Sequence, residues 1–271
     1  MFIAEIGLNH NGSIYAAKKL IKMAKDAGAD VVKFQKRTPD ITVPEHQKSV
    51  MRKTPWGDMT YLDYKKHIEF GKDAYDEIDK YCKHIGIQWT ASVWDIPSLD
   101  FIMNYNVPFI KIPSANLTDD ELLKAIGKTE MPVVLSTGMS KPHEIRHAMC
   151  LLHKNRVTLM LCNSSYPSLD EELDLNAMET LREEYSEAII GYSGHEMDIL
   201  PSITAYAMGA QVIERHITLD RDDWGTDQAA SLEPDQLKEL ITSMKRINII
   251  KGKNKIIVYP AEEIAKKKLR R

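Results

Sequence analysis

Eight short apolar runs punctuate the chain, at residues 2–7 (FIAEIG), 30–35 (DVVKFQ), 87–93 (IQWTASV), 108–113 (PFIKIP), 132–137 (PVVLST), 157–162 (VTLMLC), 188–193 (AIIGYS) and 211–216 (QVIERH). Several are rich in Val and Ile and alternate little, as strands buried on both faces do. Amphipathic stretches lie between them. The first, SIYAAKKLIKMAKDAGAD, opens at a candidate N-cap, Ser13, and stops at Gly28. DAYDEIDKYCKHIG repeats that design and stops at Gly86. Helical patterns follow at 97–106, 118–127, 141–154, 176–185, 199–210 and 234–252, with Thr118 and Glu121 at capping-box spacing. Strand and helix alternating eight times predict an α/β fold, a (β/α)8 TIM barrel forming a single domain over 1–271. The competing architecture is a doubly wound open sheet. The eight units, and the lack of a Gly-rich dinucleotide fingerprint after the first run, favour the barrel. Residues 36–71 break the rhythm as a long, polar connection with three prolines, leaving the second run at the end where barrels keep their active sites.

Composition narrows the class. Hydrophobic residues make up 43% and charged residues 28% of the 271, enough for a sizeable core and against disorder. A net charge of -3 offers no electrostatic footprint for nucleic acid, though a local cationic pocket for a small anion stays open. Cys82, Cys150 and Cys162 match no zinc or disulfide spacing, so a reducing cytoplasm is the expected compartment. The N-terminal stretch turns polar too soon for a signal peptide, and no run approaches the roughly 18 apolar residues of a membrane span. The basic end, AKKKLRR, is expected to be a short solvated tail.

In a barrel, polar side chains at the strand ends call for chemistry. Glu5, Lys33 and Gln35, Thr90 and Ser92, Lys111 and Ser114, Ser136, Asn163 and Tyr166, Ser193 and His195, Glu214 and His216 all fall there, with Asp227 in the last loop. The two lysines are the sharpest anomaly, because burying an ammonium is costly unless it is paired. They either turn outward or pair with Glu5, or they aim together at one anion. Ser114, Ser136 and Ser193 at matching heights would then help hold a phosphate. A Schiff-base lysine is also open, but with no base evident beside either lysine, phosphate binding fits better. His195 and His216 end adjacent runs, one βα unit apart. Neutral imidazoles are common ligands of divalent metals, and spacing alone leaves ligation and coincidence both open. His46, His67, His84, His143, His147 and His153 fall in the long connection or on helices and receive no role.

Nine stretches, in order along almost the whole chain, carry a resemblance: AEIGLNHNG (4–12), VKFQK (32–36), TPWGDMTYLDYKKHIEF (54–70), TASVWD (90–95), FIKIPSAN (109–116), LSTGMS (135–140), NSSYP (163–167), IGYSGHE (190–196) and GAQVIERHITLDRDDWGTDQAASLEP (209–234). Together they resemble the N-acetylneuraminate (sialic acid) synthase family, whose members condense phosphoenolpyruvate with a hexosamine. The resemblance implies a (β/α)8 barrel and a divalent ion, Mn²⁺ first, with Mg²⁺ or Co²⁺ as alternatives, held by His195 and His216. It implies that Lys33, Lys111, Ser114, Ser136 and Ser193 hold phosphoenolpyruvate, that Gln35, Tyr166 and Asp227 contact the sugar, and that Glu5 is the acid/base candidate. Thr90, Ser92 and Asn163 complete the expected substrate-binding set. Full-length members carry a C-terminal antifreeze-like (SAF) domain that contributes an arginine to the partner's sugar site. This chain is expected to hold none, so the implied partners are a second copy and a separate SAF-domain protein, beside the small-molecule substrates. The competing functions are a Kdo-8-phosphate-like condensing synthase and a non-catalytic, sugar-binding barrel.

Overall fold

Ser13 and Gly28 cap the first helix as their chemistry dictates. In the computed structural model, which describes residues 1–270, the helix runs Ile14–Ala27. The Ser13 hydroxyl accepts from the Ala16 N–H, and Gly28 turns left-handed at φ 94°. Ala17, Leu20, Ile21 and Ala24 are its buried residues, a spacing that makes one helical stripe facing the sheet. The expected capping box at Thr118 and Glu121 does not form. Asp119, one residue on, caps Asp120–Gly127 by accepting from the Leu122 N–H, and a carboxylate suits the positive end of the helix.

Ten strands form: β1 (Phe2–Gly7), β2 (Val31–Lys36), β3 (Met51–Thr54), β4 (Gly57–Thr60), β5 (Gln88–Val93), β6 (Ile110–Ile112), β7 (Val133–Ser136), β8 (Val157–Cys162), β9 (Ile189–Gly194) and β10 (Val212–His216). Eight of them, all but β3 and β4, close into a parallel barrel with β1 paired to both β2 and β10. Helices flank the barrel, so the TIM-barrel reading holds. β6 is only three residues long because Pro108 and Pro113 bracket it without N–H groups to donate.

The long connection is not irregular. It folds into two single-turn helices (Pro39–Thr42 and Glu45–Lys48), the β3–β4 hairpin and a helix, Tyr61–Ile68. Tyr64 and Ile68 pack on Leu8 after β1 and on Trp224 after β10, which fastens the insert across the mouth of the barrel. The basic C-terminal segment is likewise more than a tail, since Pro260–Leu269 is an exposed helix. No helix among the described residues is long and apolar enough to cross a membrane.

Two apolar layers result. The larger lies between the strands and the helices. The smaller lies inside the barrel and consists of Ile3, Val31, Phe109, Val134, Met160 and Val212. Each of these six precedes a polar residue by two positions: Glu5, Lys33, Lys111, Ser136, Cys162 and Glu214. Strand alternation therefore sets a charged layer directly on an apolar plug. On β9 the plug position is Gly191, two before Ser193. A Cβ there would lie 2.4 Å from Met160 Sδ and 2.7 Å from the Val212 carbonyl oxygen. Gly191→Ala should therefore overpack the plug and cost about 1–3 kcal/mol in urea denaturation. A midpoint equal to the parent's would mean that the plug has room to give.

Candidate active site

Above the plug lies a pocket of about 200 Å³ whose wall carries Glu5, Lys33, Lys111, Ser136, Cys162, Ser193 and Glu214. Gln35, Ser92, Ser114, Tyr166, His195 and His216 also line it. Lys33 Nζ lies 2.7 Å from Glu5 Oε2 and 3.6 Å from Glu214 Oε1. Lys111 Nζ donates to Ser136 Oγ at 2.6 Å and lies 3.7 Å from Glu214 Oε1. Ser193 Oγ donates to the same carboxylate oxygen at 3.4 Å. Lys33 pairs with Glu5, one of the alternatives read from sequence, and Glu214 is a carboxylate beside both lysines where none was evident. The pairing with Glu5 and the shared pocket, set against each other from sequence, turn out to be one arrangement.

The two carboxylates are driven apart in acidity. Burial pushes Glu5 up to about 7, with Glu214 adding to the rise and Lys33 opposing it. Burial would raise Glu214 too, but Lys111 and Lys33 outweigh it and hold that carboxyl below its usual range. Burial pulls on the Lys33 ammonium, yet Glu214 and Glu5 raise it above an ordinary lysine, so it stays cationic. Lys111 is lowered, by burial first, with Glu214 resisting. Two carboxylates pushed to opposite sides of their normal range make an acid and a fixed anion available side by side.

His195 follows the end of β9 and His216 ends β10, with ring centroids 5.5 Å apart. Tyr166 leans over both, 4.0 Å from the first ring and 5.8 Å from the second. His195 Nδ1 donates to the Asn163 carbonyl at 2.6 Å, which leaves Nε2 with its lone pair. His216 Nδ1 is buried with no hydrogen-bond partner, and burial holds this imidazole far down, at about 3. Burial lowers His195, but Cys162 and the Asn163 carbonyl outweigh it and raise this imidazole above its usual range, so an ion there would have to displace its proton. Two imidazoles, one oriented by a carbonyl and one with an orphaned nitrogen, fit a divalent ion on those terms. No cluster of three His, Cys, Asp or Glu among the described residues offers a protein-only set. The remaining positions would fall to oxygens of substrate or water. His10 has a different explanation. It is buried, stacks on Phe70 at 4.0 Å and accepts from the Gly12 N–H, so it packs the β1 turn as a neutral ring.

Behind the histidines runs a buried ion network. Arg215 points outward from β10, fully buried, and its guanidinium meets Glu196 Oε1 at 2.8 Å, the Asp198 carbonyl at 2.8 Å and Ser202 Oγ at 3.0 Å. Tyr192 and Ser202 also donate to Glu196. The "ERH" and "GHE" motifs thus each hold one histidine in the pocket and one member of a pair outside the barrel that fixes the loop after β9.

Three residues of the expected substrate-binding set stand apart from the pocket lining. The Thr90 hydroxyl is spent on the Phe109 carbonyl at 2.7 Å, within the wall between β5 and β6. The Asn163 side chain turns to its own loop, donating to the Glu172 carbonyl, and only its main-chain oxygen serves the site. Asp227 stands in the loop beyond His216. Burial would raise it, but His216, the Thr226 hydroxyl, Lys65 and Arg37 hold it low. Glu214, placed at a strand end from sequence but given no role, lines the pocket, as do Cys162 and Trp94, which sequence did not bring to the site. The signal for the first two was present, since each lies on the inward face two residues from a plug or pocket position.

A model described as the NeuB family matches residues 20–256. An N-acetylneuraminate-9-phosphate synthase of Drosophila melanogaster is 37% identical over 98% of this chain and 71% of its own length. An N,N'-diacetyllegionaminic acid synthase of Campylobacter jejuni is 37% identical over 93% of this chain and 77% of its own. Among solved structures, an N-acetylneuraminic acid (sialic acid) synthetase of Leptospira borgpetersenii, in complex with citrate, superposes with a TM-score of 0.87. It is 33% identical, and the match covers 100% of this chain and 92% of that one.

Proposed function

The chain belongs to the NeuB family, and from that membership we propose that it condenses phosphoenolpyruvate with an N-acylated amino sugar, giving a nonulosonic (sialic-type) acid and phosphate. The layer of two lysines, two carboxylates of opposed acidity and serine hydroxyls supports this chemistry most directly. Lys33 and Lys111 neutralise the phosphate and carboxylate of phosphoenolpyruvate, and Ser114, Ser136 and Ser193 orient its oxygens. Gln35, Tyr166 and Asp227 hold the sugar above it, so that the two reactants meet without a bimolecular encounter.

The methylene carbon of phosphoenolpyruvate forms the new bond to the aldehyde carbon of the sugar, whose oxygen takes up a proton. Glu5 supplies that proton. An incoming polyanion raises its affinity for hydrogen further, so the carboxyl arrives at the reaction protonated. Glu214 remains ionised beside the lysines and faces the positive charge that develops on the enol carbon. Water adds at that carbon, the carbon–oxygen bond to phosphate breaks, and the 2-keto acid is left. His195 and His216 would hold the divalent ion, Mn²⁺ first. When bound, it supplies Lewis-acid polarisation and a template for the carbonyl oxygen.

Incubation with Mn²⁺, phosphoenolpyruvate and a panel of N-acetylmannosamine, its 6-phosphate and acylated bacillosamine-derived sugars tests the proposal. Phosphate release should match a product heavier than its acceptor by one pyruvate. If no acceptor is turned over, the synthase reading is wrong. Turnover of arabinose 5-phosphate alone would move the chain to the Kdo-8-phosphate type. His216→Ala should abolish Mn²⁺ binding in calorimetry and reduce turnover about 10²-fold or more with circular dichroism unchanged. Retained turnover defeats the ligand assignment.

A further inference from the structure

Nothing in the proposed reaction uses the turn after β1, LNHNG at residues 8–12, yet it reaches into the strand end beside the pocket. Asn9 is 8% exposed, and its Nδ2 donates to the Ile217 carbonyl at 2.9 Å and to Ser231 Oγ at 2.8 Å. The partners lie 208 and 222 residues away along the chain, so no local turn requires these bonds. Ile217 directly follows His216. The Ser231 hydroxyl, fully buried, donates onward to the Asp227 carbonyl at 2.7 Å. One amide therefore grips the strand end that carries His216 and, one hydrogen bond further, the loop that carries Asp227.

The two histidines of the pocket are aimed by different means. The His195 ring is directed by the Asn163 carbonyl on its Nδ1. His216 Nδ1 has no partner, so no hydrogen bond there turns the ring, and it points where its main chain puts it. The fit is close. A Cβ on Gly7 would lie 3.2 Å from His216 Cε1 and 3.2 Å from Glu5 Oε1, so the ring sits against the β1 backbone and moves with any shift of the strand end. Main-chain bonds hold that end on two sides, from the Ile217 N–H to the Glu5 carbonyl at 2.9 Å and from the Leu232 N–H to the His216 carbonyl at 2.8 Å. The Asn9 amide is the side chain that completes them. Groups that orient a metal ligand without touching the ion govern its affinity strongly. We propose that Asn9 is a positioning residue of the site. Through the Ile217 carbonyl it sets the His216 ring for the divalent ion, and through Ser231 it sets Asp227 for the acceptor sugar. The inference rests on the condensation and the ion proposed above, and adds a residue outside the pocket lining that governs the affinity for both.

Mn²⁺ calorimetry on the substrate-free protein reads the first arm without turnover. Asn9→Leu, close to asparagine in shape but without a donor, should weaken Mn²⁺ binding about 10–100-fold. At saturating Mn²⁺ the acceptor KM should rise about tenfold. The KM for phosphoenolpyruvate should move less than about twofold, because Lys33 and Lys111 stand on other strands. Ser231→Ala cuts only the second arm, so it should raise the acceptor KM and keep the parent's Mn²⁺ affinity. If the leucine variant does not fold, Asn9→Ser, too short for either partner, carries the same expectations. An Asn9 that serves the fold alone would lower Tm and leave Mn²⁺ affinity and both KM values at the parent's, and that result overturns the inference. A parent that binds no Mn²⁺ defeats the ligand assignment and the inference with it. A parent that binds Mn²⁺ but turns over no acceptor sinks the condensation, and the His216 arm is then decided by the calorimetry.

Discussion

Arg215→Met is expected to lower the stability of the barrel by about 3–5 kcal/mol, because it strands the Glu196 carboxylate in the interior. For a chain of this size that corresponds to a fall in Tm of roughly 6–20 °C. Methionine fills much of the arginine's volume, so the loss comes from charge and not from a cavity. Glu196 keeps donors from Tyr192 and Ser202 but loses its counter-ion, and the carbonyl of Asp198 loses its donor. Adding Glu196→Gln removes the orphaned charge and should recover a good part of the loss, a coupling that a double-mutant cycle measures. A single variant within about 1 kcal/mol of the parent would show that the pair is dispensable. Mn²⁺ affinity should weaken in the same variant. Arg215 reaches no substrate, but the loop it fixes begins at His195.

Lys33→Met should have the largest effect on turnover, a fall in kcat/KM of about 10²–10³-fold, as for removal of one preorganised group that meets developing charge. A loss smaller than tenfold would remove Lys33 from the reaction. The variant also has a pH signature. Glu5 already sits near 7 because burial and Glu214 outweigh Lys33, and without the lysine it moves higher. A carboxyl whose folded pKa exceeds its unfolded value near 4.5 binds more protons folded than unfolded between the two. Its contribution to stability is therefore whole at low pH and is lost as pH rises through the folded value. The variant should tolerate pH 6 well and lose stability toward alkaline pH more steeply than the parent, as urea midpoints at several pH values would show. Parallel curves would mean that Lys33 does not set the acidity of Glu5.

The barrel was legible because buried parallel strands write themselves as continuous apolar runs, and all eight runs became strands. Their ends were less so. Pro108 and Pro113 were read within an apolar run, although their missing N–H groups trim β6 to three residues. The insert read as a loop because its apolar residues, Tyr64 and Ile68, pair with Leu8 and Trp224 from distant parts of the chain. Periodicity within a segment cannot reveal such partners. In the site, the strand-end residues were visible one by one, but their pairing was not. Which carboxylate neutralises which lysine depends on strand register. Glu214 comes between the two lysines only because β10 closes against β1 and β9. Thr90 misled because its hydroxyl could as well turn to a neighbouring strand's carbonyl as to the cavity, and it took the carbonyl.

The apolar plug beneath the charged layer makes the pocket a blind alley. Whatever rests against Lys33 and Lys111 has no exit past Ile3, Val31 and Phe109 and must leave by the mouth. On the proposed chemistry the deeper reactant has to arrive before the shallower one, and a sugar that enters first bars the way for its partner. High concentrations of acceptor would then slow the enzyme rather than saturate it, a kinetic trap built from six hydrophobic side chains that touch neither substrate.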